Sequence, residues 1–147
     1  MLGPAGIGSL VKIMRNERTL RLLLVDDNPD GGDILSKLLT KLGHSVAVAR
    51  NCAEAHHLGT DPFDILITDV LLPDGDGPRL LPELRVHRPT LQGIVISGVD
   101  DLETRNRAQC LGFSRYLVKP INLPDLESSL VEVGGRLTAP GGITSRL

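Results

Sequence analysis

Aromatic side chains are nearly missing from this sequence: 147 residues contain no Trp, one Tyr (Tyr116) and two Phe (Phe63 and Phe113). A core must therefore be built from Leu, Val and Ile, and the base-stacking platforms that hold single-stranded nucleic acid are excluded. A strong charge of either sign is missing too. The net charge is −2, with 23% charged and 41% hydrophobic residues, which fits an ordinary folded domain rather than a basic nucleic-acid binder or an acidic disordered tail. Cysteine is scarce: Cys52 and Cys110 show no motif spacing and read as reduced, buried or half-buried thiols. No apolar run approaches the ~18 residues needed to span a bilayer. The first twenty residues lack the basic-then-apolar order of a signal peptide, so the expectation is a cytoplasmic protein away from the membrane.

What is present is one repeating pattern, flanked by a Gly-rich arm over 1–18 (with a short helical piece at Leu10–Arg15) and a Gly/Pro/Thr-rich tail over 134–147. Leu20–Val25 is an almost continuous apolar run, as a strand buried on both faces requires. Asn28-Pro29 then supplies a cap and a first-turn proline. Ile34, Leu35, Leu38, Leu39 and Leu42 share one face of a helix that Gly43 ends. Further strands are expected at Ser45–Ala49, Asp64–Thr68, Gly93–Ser97 and Ser114–Val118. Helices are expected from the Asn51 cap to Gly59, over about Gly77–His87, over Asp101–Leu111, and after the Asn122 cap with Leu123, Leu126, Leu130 and Val133 inward. Pro82 falls inside the third helix and predicts a short, kinked or late-starting one. Alternating strands and helices imply an α/β domain over 19–133: a parallel, flavodoxin-like doubly wound (βα)5 sheet in the order 2-1-3-4-5.

In such a sheet, ligands bind at the carboxyl ends of the strands. Strand one ends in Asp26 and Asp27, strand three in Asp69, strand four in Ser97, and strand five runs into Lys119-Pro120. One aspartate at a strand end is usually a turn residue or a cap. The ordered set is different, because it brings three carboxylates, a hydroxyl and an ammonium to one edge. Close carboxylates stay ionised together only with a cation, and hard oxygen donors on one side of a small site suggest Mg²⁺. A lysine and a serine facing that cluster suit a tetrahedral anion carried on one carboxylate. Asp69, on the central strand, is the best-placed acceptor.

The segments LLLVDDNP, DILITDVLLPDGDG, GIVISG and YLVKPI resemble the receiver domains of bacterial response regulators, over about Thr19 to Val133. The resemblance implies that Asp26 and Asp27 are the metal-holding acidic pair and that Asp69 is the phosphorylated aspartate. Ser97 and Tyr116 correspond to the switch residues and Lys119 to the family's lysine. Leu71 would offer its backbone carbonyl to the metal, and Pro120 would follow a cis peptide. It implies a signalling phosphoacceptor rather than an enzyme. The donor would be a histidine kinase or histidine phosphotransfer protein. A downstream protein would read the face made by helix four, strand five and helix five, through which the domain could also pair weakly; direct nucleic-acid contact is not expected.

Two aliphatic positions refine this. Leu71 and Val99 lie two residues after Asp69 and Ser97, where many receivers carry polar groups that orient an attacking water; here slow loss of the phosphoryl group is expected. Rival readings fail on particular residues. A haloacid-dehalogenase-like phosphatase needs an aspartate at position 71. A flavin phosphate would be repelled by the acidic loop DDNPDGG. Asp74–Gly77 lacks the spacing and terminal Glu of a calcium loop, and adjacent His56-His57 cannot chelate. A receiver excised from a hybrid histidine kinase and an unphosphorylated docking receiver remain as alternatives.

Overall fold

In a computed structural model that describes residues 19–138, the chain alternates strand and helix throughout. Strand β1 (Arg21–Val25) leads to helix α1 (Pro29–Lys41), then β2 (Ser45–Ala49), α2 (Cys52–Leu58) and β3 (Ile65–Thr68). A small hairpin follows, with arms Leu71–Leu72 and Gly75–Asp76. A 3-10 turn at Gly77–Arg79 then runs into α3 (Leu80–Leu84), β4 (Gln92–Ser97), α4 (Leu102–Cys110), β5 (Arg115–Val118) and α5 (Leu123–Thr138). The main sheet has five strands, all parallel. Its order is β2-β1-β3-β4-β5, as expected, with the reversal between β1 and β3.

Period-two alternation on doubly buried strands divides the core into two. Leu23, Val25, Leu66 and Val95 pack with Ala55, Leu80, Leu81, Leu84, Ala108 and Phe113 on the side of α2, α3 and α4. Leu22, Leu24, Ile65, Ile67, Ile94 and Ile96 pack with Leu35, Leu39, Leu126, Leu130 and Val133 on the side of α1 and α5. Both halves are aliphatic except for Phe63 and Phe113, so the scarcity of aromatics is met by Leu and Ile that reach zero exposure.

Helix ends follow their sequence signals. The Asn28 side chain accepts from the N–H groups of Asp30 and Gly31, and Gly43 adopts φ 95° just past the end of α1. Three expectations need correcting. Ile34 is 68% exposed: the buried stripe of α1 is Gly32, Leu35 and Leu39, and Ile34 is rotated ~100° from Leu35. Leu123 is exposed because it opens α5 one turn before the first buried residue of that stripe, Leu126. Cys110 is exposed, since α4 buries only Ala108. Helix α3 is short and starts late, as Pro82 predicts: within the expected span of about 77–87 it is α-helical only from Leu80 to Leu84. Pro82 is thereby its third residue, where a missing N–H forfeits no helical bond.

Helix α5 continues past Val133 to Thr138. The Gly134-Gly135 pair reads as a break, yet Gly134 is buried and a methyl there would come within 3.2 Å of Leu20. Close packing, not chain freedom, explains that glycine. The expected arm over 1–18, with its Leu10–Arg15 helix, and the tail beyond Thr138 lie outside the described residues. Among those described, no helix is long and apolar enough to cross a membrane.

Candidate functional site

Three of the polar groups at the carboxyl edge are held by a ladder bond just beyond their strands. The Asp26 N–H donates to the Ala49 carbonyl at 3.0 Å, the Asp69 N–H to Val25 at 3.0 Å, and the Lys119 N–H to Ser97 at 2.9 Å. The switch of strand order between β1 and β3 thereby sets Asp26 beside Asp69. One oxygen each from Asp26, Asp27 and Asp69 lies within 4.8 Å of the others, with Asp26 buried, Asp69 half-buried and Asp27 exposed.

The remaining contacts orient this cluster. The Asn28 N–H donates to Asp26 Oδ1 at 2.9 Å and the Val70 N–H to Asp69 Oδ1 at 2.7 Å. Lys119 Nζ donates to Asp69 Oδ2 at 2.9 Å and stands 3.7 Å from Asp26 Oδ2. Burial alone would pull the Lys119 ammonium down; its hydrogen bond to Asp69 and the charges of Asp69 and Asp26 outweigh that and hold its pKa above the usual lysine value. Three carboxylates against one ammonium leave an excess of negative charge in a small, partly buried space. All the donors are hard oxygens, so the set fits a divalent cation.

Ser97 is buried, and its Oγ accepts the Val99 N–H at 3.0 Å. The half-buried Tyr116 donates its hydroxyl to the Val99 carbonyl at 2.5 Å. The two switch candidates thus converge on one loop residue, a link the sequence does not reveal. Arg105 caps the Tyr116 ring at 4.8 Å and is itself tied to Asp100 at 2.6 Å. The Lys119–Pro120 peptide is cis, as expected.

Sequence reasoning missed the structure of the segment after Asp69. The Gly77 N–H donates to the Val70 carbonyl at 2.9 Å, and Leu71 pairs with Asp76 and Leu72 with Gly75 around Pro73-Asp74. Asp74 accepts from the N–H groups of Cys52 and Ala53 at 2.7 and 3.0 Å, capping α2 together with Asn51. Asp76 receives both guanidinium arms of Arg107 at 2.6 Å. The excess of Asp in DGDG was the available signal, but nothing local says which helix each one reaches. His56 and His57 are both exposed; His56 pairs with Glu83 at 2.8 Å.

The thiols differ sharply. Burial, followed by the charge and hydrogen bond of Asp74, raises the Cys52 pKa from 9.0 to about 11. Since the thiolate is the nucleophile, iodoacetamide at pH 8 is expected to alkylate exposed Cys110 and spare Cys52 in the folded protein. Peptide mass mapping checks this, and equal labelling would contradict it.

A doubly wound sheet with an acidic cluster at its switch point and a lysine reaching in from the edge strand defines a signalling module of the phosphoreceiver class, not a classical enzyme family. Comparison with known proteins agrees. The family model described as "Response regulator receiver domain" matches residues 22–131, and the chain belongs to that family. It is a receiver domain of two-component response regulators, a class that interacts with histidine kinases. Among curated relatives, the response regulator protein PilR of Pseudomonas aeruginosa is 34% identical over 121 residues, covering 82% of this chain and 27% of its own length. The transcriptional regulatory protein CusR of Escherichia coli is 32% identical over 108 residues, 73% of this chain and 48% of its own length. This chain therefore spans less than half of either relative. Among solved structures, a CheY-like receiver domain protein from Methanospirillum hungatei superposes with TM-score 0.77 at 27% identity, covering 82% of this chain and 98% of that one. A response regulator from Burkholderia pseudomallei, solved with a phosphorylated aspartic acid and a calcium ion, gives 0.72 at 26% identity over 82% of this chain and 71% of that one.

Proposed function

We propose that this receiver accepts a phosphoryl group on Asp69 from a histidine kinase or histidine phosphotransfer protein and displays the change to a protein partner on α4, β5 and α5. The observation that carries the reading is Lys119 Nζ at 2.9 Å from Asp69 Oδ2, within a cluster that also holds Asp26 and Asp27. An Asp69 oxygen attacks the phosphorus in line; the bond from phosphorus to the donor imidazole nitrogen breaks, and its electron pair leaves with the imidazole. Lys119 stands where it can exchange its contact with Asp69 for a phosphoryl oxygen. Mg²⁺, held by Asp26, Asp27, Asp69 and the Leu71 carbonyl, would offset the charge on the transferring oxygens.

Ser97 Oγ then donates to the phosphoryl group and gives up the Val99 N–H, which moves the loop on which Tyr116 is anchored. The charge event at one edge biases a two-state element read on α4, β5 and α5. Leu71 and Val99 offer no side-chain hydrogen bond to an attacking water, so the acyl phosphate is lost slowly. The reading places the domain in the cytoplasm, as a monomer or weak dimer through that face, with no direct nucleic-acid contact from this span. It applies equally to a stand-alone receiver and to one within a longer chain.

Incubation with acetyl phosphate and Mg²⁺, followed by intact mass, tests the reading. The native chain is expected to gain one phosphoryl group, and Asp69→Asn or excess EDTA to abolish the gain. Labelling of Asp69→Asn at the native rate would place the acceptor on another residue, a native chain that gains nothing would leave only a docking role, and decay within seconds would overturn slow loss.

A further inference from the structure

The ion pair between Arg107 and Asp76 lies outside the acidic cluster, yet the geometry ties it to that cluster's remaining proposed ligand. Because the Gly77 N–H bonds the Val70 carbonyl, antiparallel alternation makes Leu71 and Asp76 the pair that exchanges no backbone hydrogen bonds. The Leu71 carbonyl is therefore not consumed by its hairpin partner. What fixes its position is the path of the hairpin, and Asp76 sets that path from two sides. It stands opposite Leu71, and it precedes Gly77, whose α-carbon lies directly on the Asp69 backbone: a methyl there would fall 1.8 Å from the Asp69 carbonyl oxygen.

The far end of the tie is also distinctive. Asp76 heads the 3-10 turn but makes no side-chain cap to it. Its carboxylate instead reaches across to α4, where Arg107 holds both oxygens. Two parallel charge-assisted bonds fix direction as well as distance. Helix α4 buries little of itself, with Ala108 as its one buried residue and Leu102 73% exposed. The apolar packing that anchors α1 and α5 is thus largely replaced on α4 by polar ties, and this one ends on the hairpin next to the acceptor.

We propose that Arg107 and Asp76 form a positioning pair that holds the Leu71 carbonyl in register with Asp26, Asp27 and Asp69, and so couples the seating of α4 to divalent-cation affinity. The pair touches neither cation nor phosphoryl group; it acts through the hairpin. By linkage, the coupling runs both ways: cation binding firms the docking of α4, and loosening α4 weakens the cation. The inference rests on the metal reading above.

Mg²⁺ titration followed by calorimetry, on the native chain and on Arg107→Gln, Asp76→Asn and the double variant, tests it. Each single variant is expected to lose on the order of tenfold in Mg²⁺ affinity, as removal of partners beyond the direct ligands commonly does. The double variant should lose no more than either single one, because one tie is broken either way. Hydrogen exchange supplies the reciprocal readout: Mg²⁺ should slow exchange of the amides of 102–110 in the native chain and not in Arg107→Gln. Thermal unfolding without Mg²⁺ should move little, since the pair is still partly solvated and such pairs contribute little. Native binding with unchanged affinity in the variants overturns the coupling alone. Absence of saturable Mg²⁺ binding by the native chain overturns the metal reading and the coupling with it.

Discussion

Gly77→Ala is expected to destabilise the domain by about 3 kcal/mol or more, at the upper end of overpacking costs, and to abolish Mg²⁺-dependent phosphorylation. The added methyl would sit 1.8 Å from the Asp69 carbonyl oxygen, 2.8 Å from Thr68 Oγ1 and 3.0 Å from the Asp69 carbonyl carbon. Thr68 is fully buried, and its Oγ1 already donates to that same carbonyl at 2.9 Å. Neither neighbour is a flexible side-chain end, so backbone must move, and the backbone that moves carries the proposed acceptor. Gly98→Ala is the matched control, since a methyl there meets nothing within 4 Å. Urea denaturation of the two variants beside the native chain reads the stability difference, and acetyl phosphate labelling reads the function. Native-like stability in Gly77→Ala would show that the approach of the chain to Asp69 is looser than the geometry states.

Lys119→Gln is expected to move two measurements in opposite directions. Phosphorylation by acetyl phosphate should slow by roughly a hundredfold, the usual cost of removing one charge-stabilising donor from a transfer site. Mg²⁺ should bind more tightly, on the order of tenfold, because the ammonium 2.9 Å from Asp69 and 3.7 Å from Asp26 opposes a second cation in the same field. A merely structural lysine would weaken both. In metal-free buffer the variant should also lose stability. The folded-state pKa of Lys119 is raised, so its contribution is fully present below the ordinary lysine pKa and fades only as pH climbs through the raised value. The deficit of Lys119→Gln relative to the native chain should then be constant across neutral pH and shrink only in strong alkali. A deficit that vanishes near neutrality would place the lysine's partner elsewhere.

Most of the fold and the main side chains of the site could be read from the residues, for a physical reason. Strands buried on both faces advertise themselves as apolar runs, and in a parallel sheet the polar residues that end them must share an edge. Asp26, Asp69, Ser97 and Lys119 are therefore located by topology alone. What escaped notice depends on side-chain direction. Ile34 and Cys110 look like core residues by type but fall on solvent-facing turns of their helices. Gly134 looks like a helix stop but is a contact with Leu20. The hairpin after Asp69 has arms of two residues, too short for any periodicity, and its carboxylates act on helices that are remote in sequence. The meeting of Ser97 and Tyr116 at Val99 passes through a main-chain N–H and carbonyl, which every residue possesses and no residue type announces.

The near absence of aromatic rings leaves Tyr116 as the chain's single tyrosine, with no tryptophan beside it. All intrinsic ultraviolet emission above the weak phenylalanine band must come from one ring. That ring is the one whose hydroxyl holds Val99 and whose face lies under Arg105. The domain thus carries its own optical probe against the loop between β4 and α4, beside the acidic crevice. Its brightness and anisotropy report that loop alone, without a dye, a label or an engineered tryptophan.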